Sequence, residues 1–337
     1  MNKILTIIIP TYNMEKYLRK CLNSLIVSED NMQRLEVLVV NDGSKDSSSQ
    51  IAHEYEAKYP QTFRVIDKEN GNYGSCVNRG LKEATGKYVK VLDADDYFDT
   101  TVFGDFIGYL YICDDDMVLS DFCIVDESYT ISKMIKMIDR VQPYLSIPIK
   151  NKYVHLQMHQ VTYKTENLRR IKYKQTEGVS YTDREWVFWP ITSVNSFCYV
   201  PLCLYCYLVG RAGQTMDVDV HVKAVSQEIT ITLNMIDLWS KHRNYLGDAE
   251  FYINNSICER MKYLIVGDAL KFKSVNQNLF IDMDKRIRKD YPEFYEYSSE
   301  HTYLGAHCPY KFLKHWRKKY RLLDKDPIVK LYMLLKR

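Results

Sequence analysis

Three carboxylates follow directly on a short apolar stretch, at Asp93, Asp95 and Asp96. The preceding residues, 88–92, have the length and the apolar, β-branched composition expected of a buried strand. Carboxylates crowded at one strand end repel each other unless a positive charge lies among them, and hard divalent cations prefer oxygen ligands. The pattern therefore indicates either a site for a metal that carries a substrate phosphate or a solvated, Asp-rich turn.

The elements around these carboxylates favour the first interpretation. Apolar runs predict strands at residues 5–10, 35–40, 63–66 and 88–92, and amphipathic runs between them predict helices at 15–28, 47–59 and 73–84. Such alternation is typical of a parallel sheet with right-handed crossovers, in which every loop that follows a strand emerges at one edge and ligands bind there. Four loops should therefore converge, at residues 11–13, 42–44, 69–74 and 93–95.

Two common nucleotide-binding motifs are missing from the sequence after these predicted strands. Neither a Gly-rich dinucleotide fingerprint nor a Gly-Lys-Ser/Thr phosphate loop occurs there. Dehydrogenases of the Rossmann type and P-loop enzymes are therefore disfavoured. Asp42 precedes Gly43 in a common turn pair that needs no ligand. Its place at a strand end favours a role as hydrogen-bond acceptor for an N–H or O–H group of a nucleotide base or sugar.

Composition indicates a globular protein of about two domains. The chain has 337 residues, of which 46% are hydrophobic and 26% charged, with a net charge of +3. Nine cysteines without repeated spacing, mostly inside apolar runs, favour reduced thiols and a cytoplasmic location. The longest apolar run, 197–209, contains Pro201 and is too short to span a membrane.

Four ordered blocks resemble the family 2 glycosyltransferases of the GT-A fold. The blocks are Thr6-Ile-Ile-Ile-Pro-Thr-Tyr-Asn13, Val39-Val-Asn-Asp-Gly-Ser-Lys-Asp-Ser47, Asn70-Gly-Asn-Tyr-Gly-Ser-Cys-Val-Asn-Arg-Gly-Leu81 and Leu92-Asp-Ala-Asp-Asp96. The resemblance covers residues 4–100 strongly and continues weakly to about residue 216. It implies an α/β fold with a Rossmann-like, mostly parallel sheet flanked by helices, and an inverting transfer from a nucleotide sugar, usually UDP-linked, with Mn²⁺ or Mg²⁺.

The resemblance also implies roles for individual residues. Asp95 would bind the metal that bridges the diphosphate, with Asp93 on the ribose or metal side. The donor-binding set that it implies is Pro10, Thr11, Asn13, Asp42, Asn78, Asp93, Arg211 and Gln214. Many members carry Arg immediately before the residue corresponding to Asn78, whereas this chain has Val77 there and so departs from the family pattern in the helix that would contact phosphate or sugar.

Asp183 is the predicted catalytic base. Thr182 and Glu185 fit a capping box, which would place Asp183 in the first turn of a helix. A carboxylate there would also stabilise the helix through its dipole, by about 0.3–1 kcal/mol, without any catalytic role. The Asp-x-x-aromatic pattern completed by Trp186 resembles the family's base at a helix start, and Glu185 is the alternative base.

Arg211 and Gln214 follow an apolar, strand-like run. They resemble a segment that closes over the donor in related sequences, where an Arg could pair with phosphate. A surface loop without any ligand is the other interpretation, and the sequence leaves both open.

The predicted organisation has three parts. Residues 1–115 form the nucleotide-sugar-binding half of the GT-A domain, 116–220 the acceptor-binding half, and 221–337 a helical extension with a basic tail. The tail, 311–337, carries ten Lys and Arg against two Asp and mixes them with apolar residues. It would either contact anionic lipid at the inner face of the cell membrane or form a solvated helix packed on the catalytic core.

The predicted function is transfer of a sugar from a nucleotide sugar to a saccharide or lipid-linked saccharide acceptor in surface polysaccharide synthesis. Nucleic acid is not an expected partner, because no nucleic-acid-binding fold accompanies the basic tail. A non-catalytic nucleotide-sugar-binding partner of another transferase is the alternative, which the combination of Asp93, Asp95 and Asp183 disfavours. A processive synthase is a third possibility, but such enzymes usually carry membrane spans.

Overall fold

The structure is a computed structural model that describes residues 2–136, 143–144, 147–148, 156–180, 182–211, 218–268, 276–305, 308–320 and 327–335. The chain forms two compact units, one of Met1–Lys150 with His155–Ala212 and the other of Asn151–Val154 with Gly213–Arg337. The predicted division of the first unit into two halves at residue 115 stays a prediction.

The first unit is an α/β structure, as the sequence predicts. Its elements are β1 Leu5–Thr11, α1 Glu15–Asn23, α2 Glu29–Arg34, β2 Leu35–Asn41, α3 Ser48–Lys58, β3 Phe63–Asp67, α4 Asn72–Glu83, β4 Tyr88–Val91, β5 Tyr97–Phe98, α5 Thr100–Ile112, β6 Met117–Val125, β7 Ile131–Ile135, β8 Ile147–Pro148, β9 Val161–Lys164, α6 Thr165–Arg170, α7 Asp183–Trp186 and β10 Ser196–Leu208.

One sheet organises this unit. Its strand order is β3-β2-β1-β4-β9-β6-β10-β5, with β7 paired to β6 and β8 to β10. The pairs β1–β2, β1–β4, β2–β3 and β6–β10 are parallel, whereas β9 runs antiparallel to both of its neighbours. All residues of β1 and β2 are buried, which is why these strands read as continuous apolar runs and not as alternating ones.

The predicted helix over residues 15–28 is shorter in the structure. It ends at Asn23, and a separate helix, α2, follows. The Ser24 hydroxyl donates to the Cys21 carbonyl at 2.6 Å and accepts the Phe98 amide at 3.0 Å. A serine hydroxyl that bonds to the backbone competes with helix continuation, so Ser24 ends α1 and ties it to β5.

The second unit is mainly helical, which confirms the predicted helical C-terminal part. Its elements are α8 Val218–His242, α9 Glu250–Lys262, a π-helical turn Tyr263–Asp268, α10 Asn278–Asp290, α11 Pro292–His301, β11 Tyr303–Gly305, β12 Cys308–Lys311, α12 Phe312–Lys319 and α13 Pro327–Leu335. Among the described residues, no helix combines the length and the apolar character needed to cross a bilayer.

Candidate active site

The ends of β1, β2, β3 and β4 lie at one edge of the sheet, because these strands are parallel, as the alternating pattern predicts. Thr11 is paired with Asn41, and Asn41 in turn with Asp67, in parallel register. The loops that follow are bonded together: the Asn13 amide donates to Ser44 Oγ at 3.0 Å, and the Lys45 amide donates to Asn13 Oδ1 at 2.7 Å. The first two predicted loops therefore form one surface.

Pro10 and Thr11 are buried at the end of β1. The Thr11 hydroxyl donates to the Ile9 carbonyl at 3.1 Å, and the Thr11 carbonyl accepts the Asp42 amide at 2.8 Å. These contacts fix the end of the strand beside Asp42. A direct contact of Pro10 or Thr11 with a nucleoside stays a prediction.

Asp42 is buried and is held by the loop after β3. Its Oδ1 accepts Lys68 Nζ at 2.6 Å and the Gly71 amide at 2.9 Å. Gly43 has a φ of +72°, a left-handed conformation that an L side chain rarely adopts, and a Cβ there would lie 3.4 Å from the Asn70 amide nitrogen. A cleft of about 530 Å³ opens beside Asp42, lined by Tyr12, Asn41, Gly43, Lys45, Asp67, Lys68, Glu69 and Asn70.

The three carboxylates after β4 form a compact group. Ligand oxygens of Asp93, Asp95 and Asp96 lie within 4.8 Å of one another. Asp96 is buried and accepts the Tyr205 hydroxyl at 2.6 Å and the Leu208 amide at 2.7 Å, so it anchors this loop to β10. Asp93 and Asp95 are less buried and lie closer to the solvent.

The electrostatics of this group favour a bound cation. Burial is the largest cause that raises the pKa of Asp93 to about 7, and the charges of Asp95 and Asp183 raise it further. Burial, followed by the charges of Asp95 and Asp93, also raises the pKa of Asp96 well above its usual range. Hard divalent cations prefer clustered carboxylate oxygens, so these residues fit the metal that the family resemblance implies.

Arg211 supplies a protein cation at the same place. Its Nε lies 2.5 Å from Asp95 Oδ2, and both side chains are largely shielded from solvent. The guanidinium carbon lies 5.6 Å from the centre of the Tyr17 ring. Arg211 therefore lies beside the carboxylates after β4, and its predicted contact with phosphate stays a prediction, whereas Gln214 lies outside the described residues.

Asp183 is the first residue of α7 and is exposed. Its negative charge raises the pKa values of both Asp93 and the Tyr73 hydroxyl, after the larger effect of burial in each case. The structure thus brings Asp183 close to the carboxylates after β4, although about 90 residues separate them in sequence.

The predicted capping box at Thr182 and Glu185 is wrong. The Thr182 side chain makes no capping bond and instead donates to Gln175 Oε1 at 3.0 Å. Glu185 is buried, and its carboxylate accepts the amide of Thr176 at 2.8 Å and its hydroxyl at 2.7 Å. Both side chains therefore bond to the preceding loop. Glu185 is held in a structural contact, which disfavours it as the alternative base.

Asn78 contacts the same loop. Its Nδ2 donates to the Gln175 carbonyl and to Glu177 Oε1, both at 2.9 Å, and its Oδ1 accepts the Gln175 amide at 2.8 Å. The predicted donor contact of Asn78 stays a prediction, and the contact that the structure gives is with the segment leading to Asp183.

Sequence reasoning missed several side chains of the site. Lys68 directly precedes the loop 69–74 that was predicted to reach the site, and Tyr73 lies within that loop. The Tyr73 hydroxyl donates to Asp93 Oδ1 at 2.7 Å. The position of both residues relative to this loop was the available signal. Tyr205 lies inside an apolar run that gives no such signal. Lys90 is fully buried on β4 and donates to the carbonyls of His159 and Val161, and burial lowers its pKa to about 7.

Comparisons with known proteins agree with this fold. The sequence model described as glycosyl transferase family 2 matches residues 6–182. An uncharacterized glycosyltransferase of Mycoplasma genitalium, MG025, is 38% identical over 133 residues, which are 38% of this chain and 42% of that protein. The minor teichoic acid biosynthesis protein GgaB of Bacillus subtilis is 36% identical over 104 residues, 31% of this chain and 12% of that protein. The matched region thus spans less than half the length of either relative.

A solved structure resembles the chain over nearly its whole length. The crystal structure of S. aureus TarS residues 1–349 with UDP-GlcNAc has a TM-score of 0.64 and 18% identity, covering 94% of this chain and 92% of that one. At this identity the likeness concerns the fold, and it confirms the predicted GT-A architecture. With more than half of its residues matched by the family model, the chain belongs to glycosyl transferase family 2.

Proposed function

We propose that this protein is an inverting, metal-dependent glycosyltransferase that moves a sugar from a UDP-linked donor to a hydroxyl of a saccharide or lipid-linked saccharide. The observation that carries the proposal is the proximity of Asp183, an exposed carboxylate, to the carboxylates after β4. A protein that only bound a nucleotide sugar would have no use for a base near that group.

The cleft beside Asp42 supports binding of the nucleoside. Backbone groups and the side chains of Asn41, Lys45 and Asn70 line it, which offers both donors and acceptors to a base and a ribose. A UDP donor is further supported by TarS, which was crystallised with UDP-GlcNAc. We assign the nucleoside to this cleft and the diphosphate to the side of Asp93 and Asp95.

Asp95 and Asp93 are proposed to hold Mn²⁺ or Mg²⁺. The bound ion would neutralise charge that develops on the diphosphate leaving group. Arg211 would add a second positive charge there, since a guanidinium pairs well with phosphate oxygens. Lys68 lies on the nucleoside side, where its ammonium holds Asp42 in place.

Asp183 is proposed to act as the general base of a single displacement. It takes the proton of the acceptor hydroxyl as that oxygen forms its bond to the anomeric carbon, and the bond from this carbon to the diphosphate oxygen breaks on the opposite face. The nucleoside diphosphate leaves with the bonding electron pair, and the configuration at the anomeric carbon is inverted. No covalent intermediate with the protein is required.

The acceptor is proposed to belong to a surface polysaccharide. The likeness to GgaB, a teichoic acid biosynthesis protein, supports this class. Contact of the tail with anionic lipid would bring the site to a lipid-linked acceptor, and exposed apolar side chains of α13, Ile328 and Leu331, support such contact.

The substitution Asp183→Asn tests the proposal. Release of UDP or GDP from a panel of UDP-GlcNAc, UDP-glucose, UDP-galactose and GDP-mannose is measured with MnCl₂ and with EDTA, with water as acceptor. We expect metal-dependent turnover of a UDP-sugar that falls about 10²–10⁴-fold in the variant, because general base catalysis contributes about this factor. UDP affinity, measured by calorimetry with MnCl₂, should stay within about threefold of the parent, because Asp183 is assigned no contact with the nucleotide.

Asp105→Asn is the matched control, since it replaces an exposed carboxylate in the middle of α5. It should turn over like the parent. Undiminished turnover by D183N would refute the assigned base, and metal-dependent UDP binding without hydrolysis of any donor would favour a non-catalytic binding module.

A further inference from the structure

The segment that leads to Asp183 is attached to the face of α4. The carboxamide of Asn78 makes three hydrogen bonds to it, two with the backbone of Gln175 and one with Glu177, at 2.8–2.9 Å. A side chain that bonds to both the amide and the carbonyl of one residue fixes the orientation of that residue as well as its distance. Asn78 thus acts as a clamp on the segment.

Close backbone packing extends this attachment. A Cβ added to Gly74 would lie 2.1 Å from the Thr176 carbonyl oxygen, a separation no side chain could adopt, so the segment lies directly on α4 at this point. One turn earlier, the Gly178 amide donates to the Gly71 carbonyl at 3.0 Å. Residues 175–178 therefore follow the N-terminal half of α4.

Internal bonds carry this position on to Asp183. Gln175 accepts the hydroxyl of Thr182, and Thr176 donates both its amide and its hydroxyl to Glu185. Thr182 and Glu185, the residues held by these bonds, lie on either side of Asp183 in sequence. A shift of residues 175 and 176 must consequently shift the start of α7.

The short helix α7 has little means of setting its own position. It is four residues long, and helices of this length are not stable without tertiary contacts. Asp183 is exposed, so its carboxylate is not held by burial. The surroundings of Thr182 and Glu185 must therefore place it.

We infer that α4 positions the general base, with Asn78 and Gly74 as the positioning residues. The inference rests on the proposed function, since it assumes that Asp183 is the base. The same helix carries Ser75, which accepts Lys68 Nζ at 2.9 Å, and it follows Gly71, which bonds to Asp42. The nucleoside side and the segment that leads to the base are thus both attached to the N-terminal half of one helix.

The test compares Asn78→Ala and Gly74→Ala with two controls. Asn255→Ala removes an amide that donates to the Phe251 carbonyl within its own helix, and Gly108→Ala adds a Cβ that meets no atom within 4 Å. Hydrolysis is followed with the nucleotide sugar of the panel that gives the highest rate. We expect the turnover number to fall about 10–100-fold in N78A and G74A, since a displacement of about 1 Å at a reacting group has an effect of this size. UDP affinity should change less than about threefold, because the inference assigns the Asn78 carboxamide to Gln175 and Glu177 and not to the donor. A larger loss of UDP affinity in N78A would support the donor contact instead and count against the inference. The controls should behave like the parent.

Amide hydrogen exchange of residues 173–180 gives a second measurement that needs no substrate. Exchange should be faster in N78A and G74A than in the parent and in both controls, because the Gln175 amide loses its acceptor or the segment leaves α4. Unchanged exchange in both variants would show that the contact does not hold the segment, and would overturn the inference.

A double-mutant cycle with D183N separates positioning of the base from a general structural role. If Asn78 acts through Asp183, N78A should lower turnover less than about threefold in the D183N background, because residues that act as a unit have non-additive effects. The same loss in both backgrounds would overturn the inference and leave the proposed function intact. Full turnover by D183N alone would refute the base and the inference together.

Discussion

The charge at the site is divided between residues of different function. Asp96 is buried and bonded to Tyr205 and Leu208, so it holds the loop after β4 against β10. Asp93 accepts the Tyr73 hydroxyl, and Asp95 forms an ion pair with Arg211. A guanidinium beside a carboxylate reduces the repulsion among clustered acids, and the opposite charge of Arg211 lowers the pKa of Asp93 against the larger effects of burial and Asp95. The site is therefore partly neutralised by the protein itself.

Asp95→Ala is expected to abolish the metal dependence of donor binding. Calorimetric titration with UDP should give the parent at least about tenfold higher affinity with MnCl₂ than with EDTA, whereas the variant should bind equally weakly in both. The reason is that the variant loses a carboxylate proposed to hold the ion. Asp30→Ala, an exposed position in α2, is the control. Retention of the Mn²⁺ effect in D95A would assign the metal to other ligands.

Among the helices and strands, the N-termini of α1 and α3 are joined by reciprocal hydrogen bonds. Asp46 accepts the amide of Ser48 at 2.9 Å through Oδ1 and that of Glu15 at 3.0 Å through Oδ2, and Glu15 accepts the amide of Ser47 at 3.0 Å. Amides of the first helical turn have no partner within their helix, so one carboxylate here satisfies two helices. This contact holds the loops after β1 and β2 together.

Asp46→Ala should therefore destabilise the protein by about 1–2 kcal/mol, the upper part of the range for loss of one N-terminal acceptor. Urea unfolding followed by circular dichroism gives the change in midpoint, with the slope expected to stay constant. The control Asp105→Ala replaces the same residue type at an exposed position inside a helix. It should alter the free energy of unfolding by less than about 0.5 kcal/mol. Equal midpoints for the two variants would mean that the bonds to α1 and α3 contribute no net stability.

The sequence predicted the elements of the parallel part of the sheet because each is local. The strands ending at Thr11 and Asn41 and the strand before Asp93 are fully buried, and the strand ending at Asp67 is partly buried. The antiparallel strands β5 and β9 were not predicted, since their pairing depends on partners far away in sequence.

The same distinction applies to the site. The position of Asp183 at a helix start follows from neighbouring residues, whereas the bonds of Glu185 to Thr176 and of Thr182 to Gln175 replace the local capping pattern with tertiary contacts. The engagement of Asn78 by Gln175 spans nearly a hundred residues. No propensity or spacing rule contains such a contact, so it is visible only in the fold.

For the molecule as a whole, the uneven distribution of charge is a feature of the second unit. The tail carries a net charge of +8 within a chain of net charge +3. Part of that charge is already paired: Lys311 and Lys314 both contact Glu300 at 2.5 Å, and Arg317 bonds to the buried Asp284 at 2.7 Å. The apolar residues of α12, Phe312, Leu313 and Trp316, are buried. The packing of α12 that the structure shows is therefore within the second unit, and packing of the tail on the catalytic core stays a prediction.

Contact with lipid would accordingly depend on α13. Ile328 and Leu331 are 43% and 57% exposed, and the exposed Lys330 lies between them. We expect the full chain to co-sediment with vesicles of phosphatidylcholine containing phosphatidylserine at 0.05 M NaCl, and to be released at about 0.5 M NaCl, where charge interactions at the surface are screened. Vesicles of phosphatidylcholine alone should bind much less protein.

Replacing Ile328 and Leu331 together by Ser should weaken binding about tenfold or more, because it removes apolar area that would enter the interface. Leu279→Ser, an exposed leucine of α10, is the matched control and should bind like the parent. Binding that is absent at low salt, or that the α13 variant and the control share equally, would assign the tail to packing within the second unit alone.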